Sequence, residues 1–288
     1  GLGRLRTAGL TGALAAWDGI RGTLVLAIIF TALAFFHLLT VHIDEPEPSS
    51  SVPGERKEVD LKGTVRVIKA VPGLVALILF SAFNNLLGGV FMALMDAYGL
   101  SLMEVQEWGL LWAFASSAFI VSGLVIAKVG LGKNPLRTLL LANLITWSVA
   151  AIFTIQSSIL FLVAGSVIWM FFGPYAEAAE QTTLQKVVPY ERQGRVFGFA
   201  QSIEQSAAPM TAFLIGPLTQ FLAIPFMTNG AGAEAIGHWF GTGPDRGMAL
   251  VFTVTGMLGV ILTLLALGSR SYRQLSAAYA GEENKATS

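Results

Sequence analysis

The chain has 288 residues, of which 54% are hydrophobic and only 12% charged, with 18 basic side chains against 18 acidic ones and no cysteine. A soluble domain carries about 25% charged residues, so this composition, with a mean hydropathy of +0.66, excludes a water-facing exterior and points to an integral membrane protein of helices, which satisfy every backbone polar group internally. The absence of cysteine excludes disulfides, thiolate metal sites and a cysteine nucleophile; nothing in the charge pattern suggests a nucleic-acid partner, and no cofactor is expected.

A membrane span requires about 20 mainly apolar residues at a rise of 1.5 Å each. The chain opens at Gly1 without an initiator methionine or a cleavable signal pattern, which is the expectation for a fragment of a longer protein. Ala8 to Trp17 is apolar but too short to cross; with the turn from Asp18 to Arg21 it reads as the end of a truncated helix, a scheme in which Arg4 and Arg6 find no place. The first span runs from Thr23 to His42. Next, Asp44 to Ser51 is acidic and rich in proline and serine, a linker that buries too little apolar area to order itself. Leu61, Val65 and Ile68 follow at i, i+4, i+7 with Lys62, Arg66 and Lys69 around the turn. That pattern suits a helix lying on an anionic membrane surface and equally a solvated extension of the next span.

Six further spans are expected at Pro72 to Ala97, Trp108 to Ala127, Thr138 to Ile155, Ile159 to Gln181, Val196 to Leu222 and Met248 to Gly268. The glycine-rich stretch from Ala223 to Gly247 between the last two reads as a turn-rich loop; it lacks the Lys-Ser/Thr ending and the preceding strand of a phosphate loop. Lys128, Lys133 and Arg137 follow the third span, Lys186, Arg192 and Arg195 the fifth, and Arg270 and Arg273 the seventh, whereas the opposite loops hold only Arg21 and Arg246. The positive-inside rule makes the basic side cytoplasmic and leaves the C-terminus inside. The domain reading is therefore residues 1–43 as the end of one bundle, 44–70 as a cytoplasmic linker with an amphipathic helix, 71–269 as a six-helix bundle and 270–288 as a tail.

Enzyme signatures are missing: no G-x-S-x-G elbow and no histidine pair at metal-ligand spacing among His37, His42 and His238. Ionisable groups inside spans are more informative, since burying one costs at least about 2.5–3.5 kcal/mol and implies a cavity or a partner. Glu204 lies eight residues beyond Val196, near the midplane, with Gln205 beside it and Pro209 expected to break the helix beyond. It either lines a water-filled path or bonds a neighbouring helix. Asn84 and Asn85, ahead of Gly88-Gly89, either contact a substrate or bridge two helices, and the nearby small residues favour bridging. Glu177 and Glu180 share a face toward the inner end of the fifth span, where solvation or pairing with Lys186 competes with a place on a transport path. Asp96 and Glu107 read as wetted outer-end residues. Phe171-Phe172-Gly173-Pro174 suits a hydrophobic binding wall or plain packing equally.

The run Leu184-Gln185-Lys186-Val187-Val188-Pro189-Tyr190-Glu191-Arg192-Gln193-Gly194-Arg195-Val196-Phe197-Gly198 resembles the loop between helices ten and eleven of major facilitator superfamily exporters, in the branch of enterobactin exporters and macrolide or multidrug efflux proteins. Gly241 to Leu250 looks like that branch's approach to helix twelve. The family's aspartate before the basic residues is missing from Lys128 to Lys133, and Thr7-Ala8 replaces the glycine-proline of exporter helix five. The resemblance implies an all-α integral membrane fold in which the seven spans are helices six to twelve. It also implies two bundles working by alternating access around a midplane site.

In that scheme Arg192, Arg195, Lys128, Lys133 and Arg137 are gate and orientation charges. Glu204, Gln205, Asn84, Asn85 and Glu177 line the pathway, and Glu204 couples protons to substrate. The implied activity is proton-coupled efflux of drugs, macrolides or siderophores across a bacterial plasma membrane, with protons, the small-molecule substrate, the lipid bilayer and the absent N-terminal helices as partners. An importer or lipid carrier on the same fold, and a scaffold or sensor that transports nothing, are the alternatives; the scaffold predicts a midplane packed solid.

Overall fold

The computed structural model describes residues 22, 24–41 and 61–287, with side chains through Gly281. The truncated opening helix with Arg4 and Arg6, the turn from Asp18 to Arg21, His42 and the linker at 44–51 lie outside these residues. Every regular element among those described is helical. Helix α1, Leu24–Thr40, corresponds to the first expected span and is shorter than the other apolar helices. Its large side chains, such as Leu38 at 69% and Leu39 at 68%, are exposed.

Helix α2, Leu61–Ala70, forms where the amphipathic pattern placed it, but its buried face is Thr64 and Ile68 rather than Leu61. That face packs on a later helix of the bundle, and a turn separates α2 from the next span. The break comes at Gly73, whose φ of 85° lies in the left-handed region that glycine alone occupies at no steric cost.

Five long helices follow: α3, Leu74–Leu102; α4, Val105–Val129; α5, Pro135–Ile152; α6, Ile159–Val187; and α7, Tyr190–Leu218. Helix α7 continues through a π-helical turn, Thr219–Ala223, into α8, Ile224–Thr228. After α9, Ala231–Phe240, come α10, Pro244–Gly268, and α11, Arg270–Thr287. Counting α7 with its continuation as Tyr190–Thr228, six of the described helices are long and apolar enough to cross a membrane. In the assembled bundle α3 lies along α7, α5 sits between α6 and α10, α4 packs on α6, and α2 rests on α7 and α3.

Two expectations are corrected. Pro209 does not break its helix: α7 runs through both Pro209 and Pro217. Membrane helices tolerate proline where neighbouring groups or a local π adjustment take up the freed carbonyls, and the π turn lies directly after Pro217. The segment from Ala223 to Gly247 is not mainly loop either, since α8 and α9 occupy most of it. Apolar residues among its glycines, Met227 and Phe240, are buried and hold these short helices in place.

Two apolar clusters hold the bundle. One gathers Phe91, Trp108, Trp147, Leu162 and Phe252, and the other gathers Leu74, Leu139, Val187, Val196 and Leu275 at the end that carries the basic loops. Lipid tails are as apolar as these side chains, so close packing rather than expulsion from water sets which helices meet. Residues 270–287, expected as a tail, form α11 beneath that basic end. Leu275 is 1% exposed, Asn134 Nδ2 donates to Ser276 Oγ, and Lys186 Nζ lies 5.3 Å from the centre of the Tyr279 ring.

Candidate functional site

Between the two apolar clusters lies a polar cavity of about 290 Å³. Helix α3 contributes Ser81, Asn84 and Asn85, α5 contributes Asn143, α6 contributes Glu177, Glu180 and Gln181, and α7 contributes Gln201, Glu204 and Gln205. All five expected pathway residues line the cavity, from three helices: Asn84 and Asn85 on α3, Glu177 on α6, and Glu204 and Gln205 on α7. Helical spacing explains the set: Ser81 and Asn85, Glu177 and Gln181, and Gln201 and Gln205 are each four residues apart, so each pair lines one face of its helix.

Glu204 is 5% exposed, and its Oε1 has no hydrogen-bond partner. Its carboxyl group is in hydrogen-bonding contact with that of Glu180, whose Oε1 accepts from Ser81 Oγ at 2.6 Å. Glu180 is half-buried, whereas Glu177, Gln201 and Gln205 are exposed, so the cavity opens on the side where these three stand. Sequence reasoning placed Glu180 beside Lys186 near the inner interface. Instead Glu180 turns into the cavity and Lys186 faces Tyr279. The available signal was its spacing: Glu180 follows Glu177 by three residues, and both precede Lys186 by more than one turn.

Asn84 bridges helices, accepting at Oδ1 from Trp147 Nε1 at 2.7 Å. Asn85 Nδ2 donates to the carbonyl of Ser81 at 3.1 Å, within its own helix. The glycine pair beyond them divides its roles. A Cβ on Gly89 would stand 2.7 Å from the carbonyl oxygen of Ala208, whereas one on Gly88 would meet nothing within 4 Å. Gly89 therefore lets α3 approach α7 just past Glu204, and Gly88 borders open space.

That space is a second, apolar cavity of about 260 Å³, lined by Phe91, Met92, Trp112 and Trp169 among others. It follows the polar cavity along the same two helices: Gly88 is one turn beyond Asn84 on α3, and Trp169 one turn before Gly173 on α6. Phe171 and Phe172 pack edge to face against each other and also against Tyr175, outside both linings.

The expected gate charges Lys128, Lys133, Arg137, Arg192 and Arg195 are exposed at the ends of α4, α5 and α7 that surround the basic-end cluster. At the other end, Asp96 and Glu107 are more than wetted: Asp96 Oδ1 accepts from Trp108 Nε1 at 3.0 Å, and Glu107 forms a capping box with Glu104 at the start of α4. Sequence reasoning missed Arg246, read only as an outer-loop charge. It is 3% exposed, donates to Ser157 Oγ at 3.0 Å and to the carbonyl of Thr154, and lies over the Phe240 ring at 5.0 Å. Its place at the first turn of an apolar span was the available signal. No group of three or more histidine or acidic side chains is arranged for a metal among the described residues.

Residues 1–212 match the family model of the Major Facilitator Superfamily. The chain belongs to the Major Facilitator Superfamily. A superfamily bundle is a multi-pass membrane protein, in keeping with the six apolar helices. The fold is similar to the crystal structure of a bacterial homolog of the human lysosomal transporter Spinster in an inward-facing, unoccupied conformation, with a TM-score of 0.55 at 16% identity. The likeness covers 92% of this chain and 58% of that one, so the chain spans little more than half of that transporter's length. No curated protein matches the sequence.

Proposed function

We propose that this chain is the C-terminal part of a proton-coupled exporter, which moves small apolar or amphipathic compounds across a bacterial plasma membrane by alternating access. The observation that carries this reading is the polar cavity around Glu204 inside otherwise apolar spans. A buried carboxyl with an oxygen left without a partner is costly in a membrane, and such groups mark ion and substrate paths. A scaffold with no cargo has no use for a cavity between two packed cores. The adjoining apolar cavity supplies a surface for the non-polar body of a drug-, macrolide- or siderophore-like molecule.

In this reading the seven apolar helices are helices six to twelve of a twelve-helix carrier, and the basic end faces the cytoplasm. Glu204 carries the proton, and Asn84, Asn85, Gln205 and Glu177 line the path. Lys128, Lys133, Arg137, Arg192 and Arg195 stabilise one closed state at the cytoplasmic face through contacts with the opposite bundle. Transport needs both bundles, because in such folds the site lies at the interface of the repeats.

The test is accumulation of a fluorescent dye in cells that express the full-length protein. Proton-driven export predicts that a protonophore raises the dye inside, and that Glu204→Gln gives the same high level without the protonophore. An importer predicts the opposite change on uncoupling. Protonophore-sensitive efflux that survives Glu204→Gln removes Glu204 from the coupling.

A further inference from the structure

Glu204 does not stand alone in the cavity: Glu180 of α6 reaches it from the facing helix. Two carboxyl groups in hydrogen-bonding contact cannot both be ionised and still bond, because a carboxylate only accepts; one of them must hold a proton to donate. Glu180 and Glu204 are in such contact across α6 and α7. Ser81 of α3 spends its hydroxyl proton on Glu180 Oε1, and Glu204 Oε1, buried in the cavity wall, has no donor of its own.

Among the described residues, the cavity lining offers no cation to compensate a second anion. The polar groups lining the cavity are the serine and two asparagines of α3, Asn143 of α5, the glutamates and Gln181 of α6, and Gln201 and Gln205 beside Glu204 on α7. Glu177 is the third carboxyl of the lining, and no lysine, arginine or histidine stands in it.

We infer that Glu180 and Glu204 form one proton-carrying unit, an acid and a carboxylate sharing a single proton between α6 and α7, with Ser81 fixing the Glu180 side. This deepens the transport reading and rests on it for the role of the proton. Release of the proton to water in the open cavity leaves two ionised carboxylates; the hydrogen bond between them is gone, and their like charges push α6 and α7 apart. Uptake of a proton from water restores the bond and draws the helices together. The titration then belongs to the pair and to neither residue alone. Proton occupancy and helix separation become one event, which is what a coupled carrier requires of its binding site.

Infrared spectroscopy of the purified full-length protein at neutral pH tests this directly. The wild-type protein should show a protonated-carboxyl C=O band that shifts in heavy water. The band should vanish in Glu204→Gln and equally in Glu180→Gln, because the amide that replaces either acid donates to the remaining carboxylate and leaves it ionised. Glu177→Gln should keep the band. Absence of the band from the wild-type protein overturns the inference without relying on any variant to fold, and so does a band that persists in either single variant. Dye efflux from the same cells separates the two failures: proton-driven efflux with no such band leaves transport standing and removes the pair.

Discussion

Trp147 of α5 donates its indole N–H to Asn84 of α3 across 2.7 Å, and its ring packs 5.4 Å, centre to centre, from Trp169 of α6. One residue thereby joins the wall of the polar cavity to the aromatic cluster beyond it. Asn84→Ala leaves a 2%-exposed indole N–H without an acceptor. Hydrogen bonds between membrane helices average about 0.6 kcal/mol and reach about 1.7 kcal/mol, so a double-mutant cycle of Asn84→Ala with Trp147→Phe should give a coupling energy in that range. Reversible unfolding in mixed detergent measures it, and a coupling indistinguishable from zero would show that the bond does not hold α3 to α5.

The two adjacent glycines of α3 should respond oppositely. Gly89→Val must displace the Ala208 backbone of α7, and overpacking of that kind costs about 1–3 kcal/mol. Gly88→Ala meets open space, and it gains slightly from helix propensity. Thermal denaturation of the two variants should therefore lower the midpoint for position 89 and spare position 88. The reverse order would contradict the packing of α3 on α7.

Arg246 should be among the most sensitive charged positions. Its guanidinium reaches Ser157, the Thr154 carbonyl and the Phe240 face at once. A planar fork can do this, whereas the compact ammonium of lysine cannot reproduce it. Arg246→Lys should destabilise the protein almost as much as Arg246→Met. Each loses about 1.5–3 kcal/mol, the usual worth of hydrogen bonds made by a charged group. Unfolding curves that leave Arg246→Lys at wild-type stability would assign the arginine a merely superficial role.

Docking of α11 is a packing event and can be probed separately. Leu275 is almost fully buried among Leu74, Leu77 and Leu136 of the basic-end cluster. Leu275→Ala should cost about 2–5 kcal/mol of local stability and expose the backbone after Gly268 to protease. Limited proteolysis that cuts the wild-type and variant proteins after Gly268 at equal rates would show that α11 is not held by this contact.

The apolar runs by themselves determined that the chain lives in a membrane as helices, because their length and lack of charge leave no other way to satisfy the backbone. They also placed Glu204, Gln205, Asn84 and Asn85 at depths where polar groups need a reason, and Glu177 nearer the inner end of its span. What only the tertiary structure decided is which of these groups meet. Glu180 looked like an interfacial acid because its nearest opposite charge along the helix is Lys186; the rotation of α6 in the bundle turns it toward Glu204 and sends Lys186 to Tyr279. Arg246 looked like a loop charge because its place at the first turn of an apolar span does not show what it would meet; Ser157 and Thr154, some 90 positions earlier in the chain, accept its hydrogen bonds. Apolar periodicity measures the match of a segment to its solvent, whereas the site depends on contacts between helices far apart in sequence, and a membrane, as apolar as the helices it surrounds, does not dictate which face of each helix turns inward.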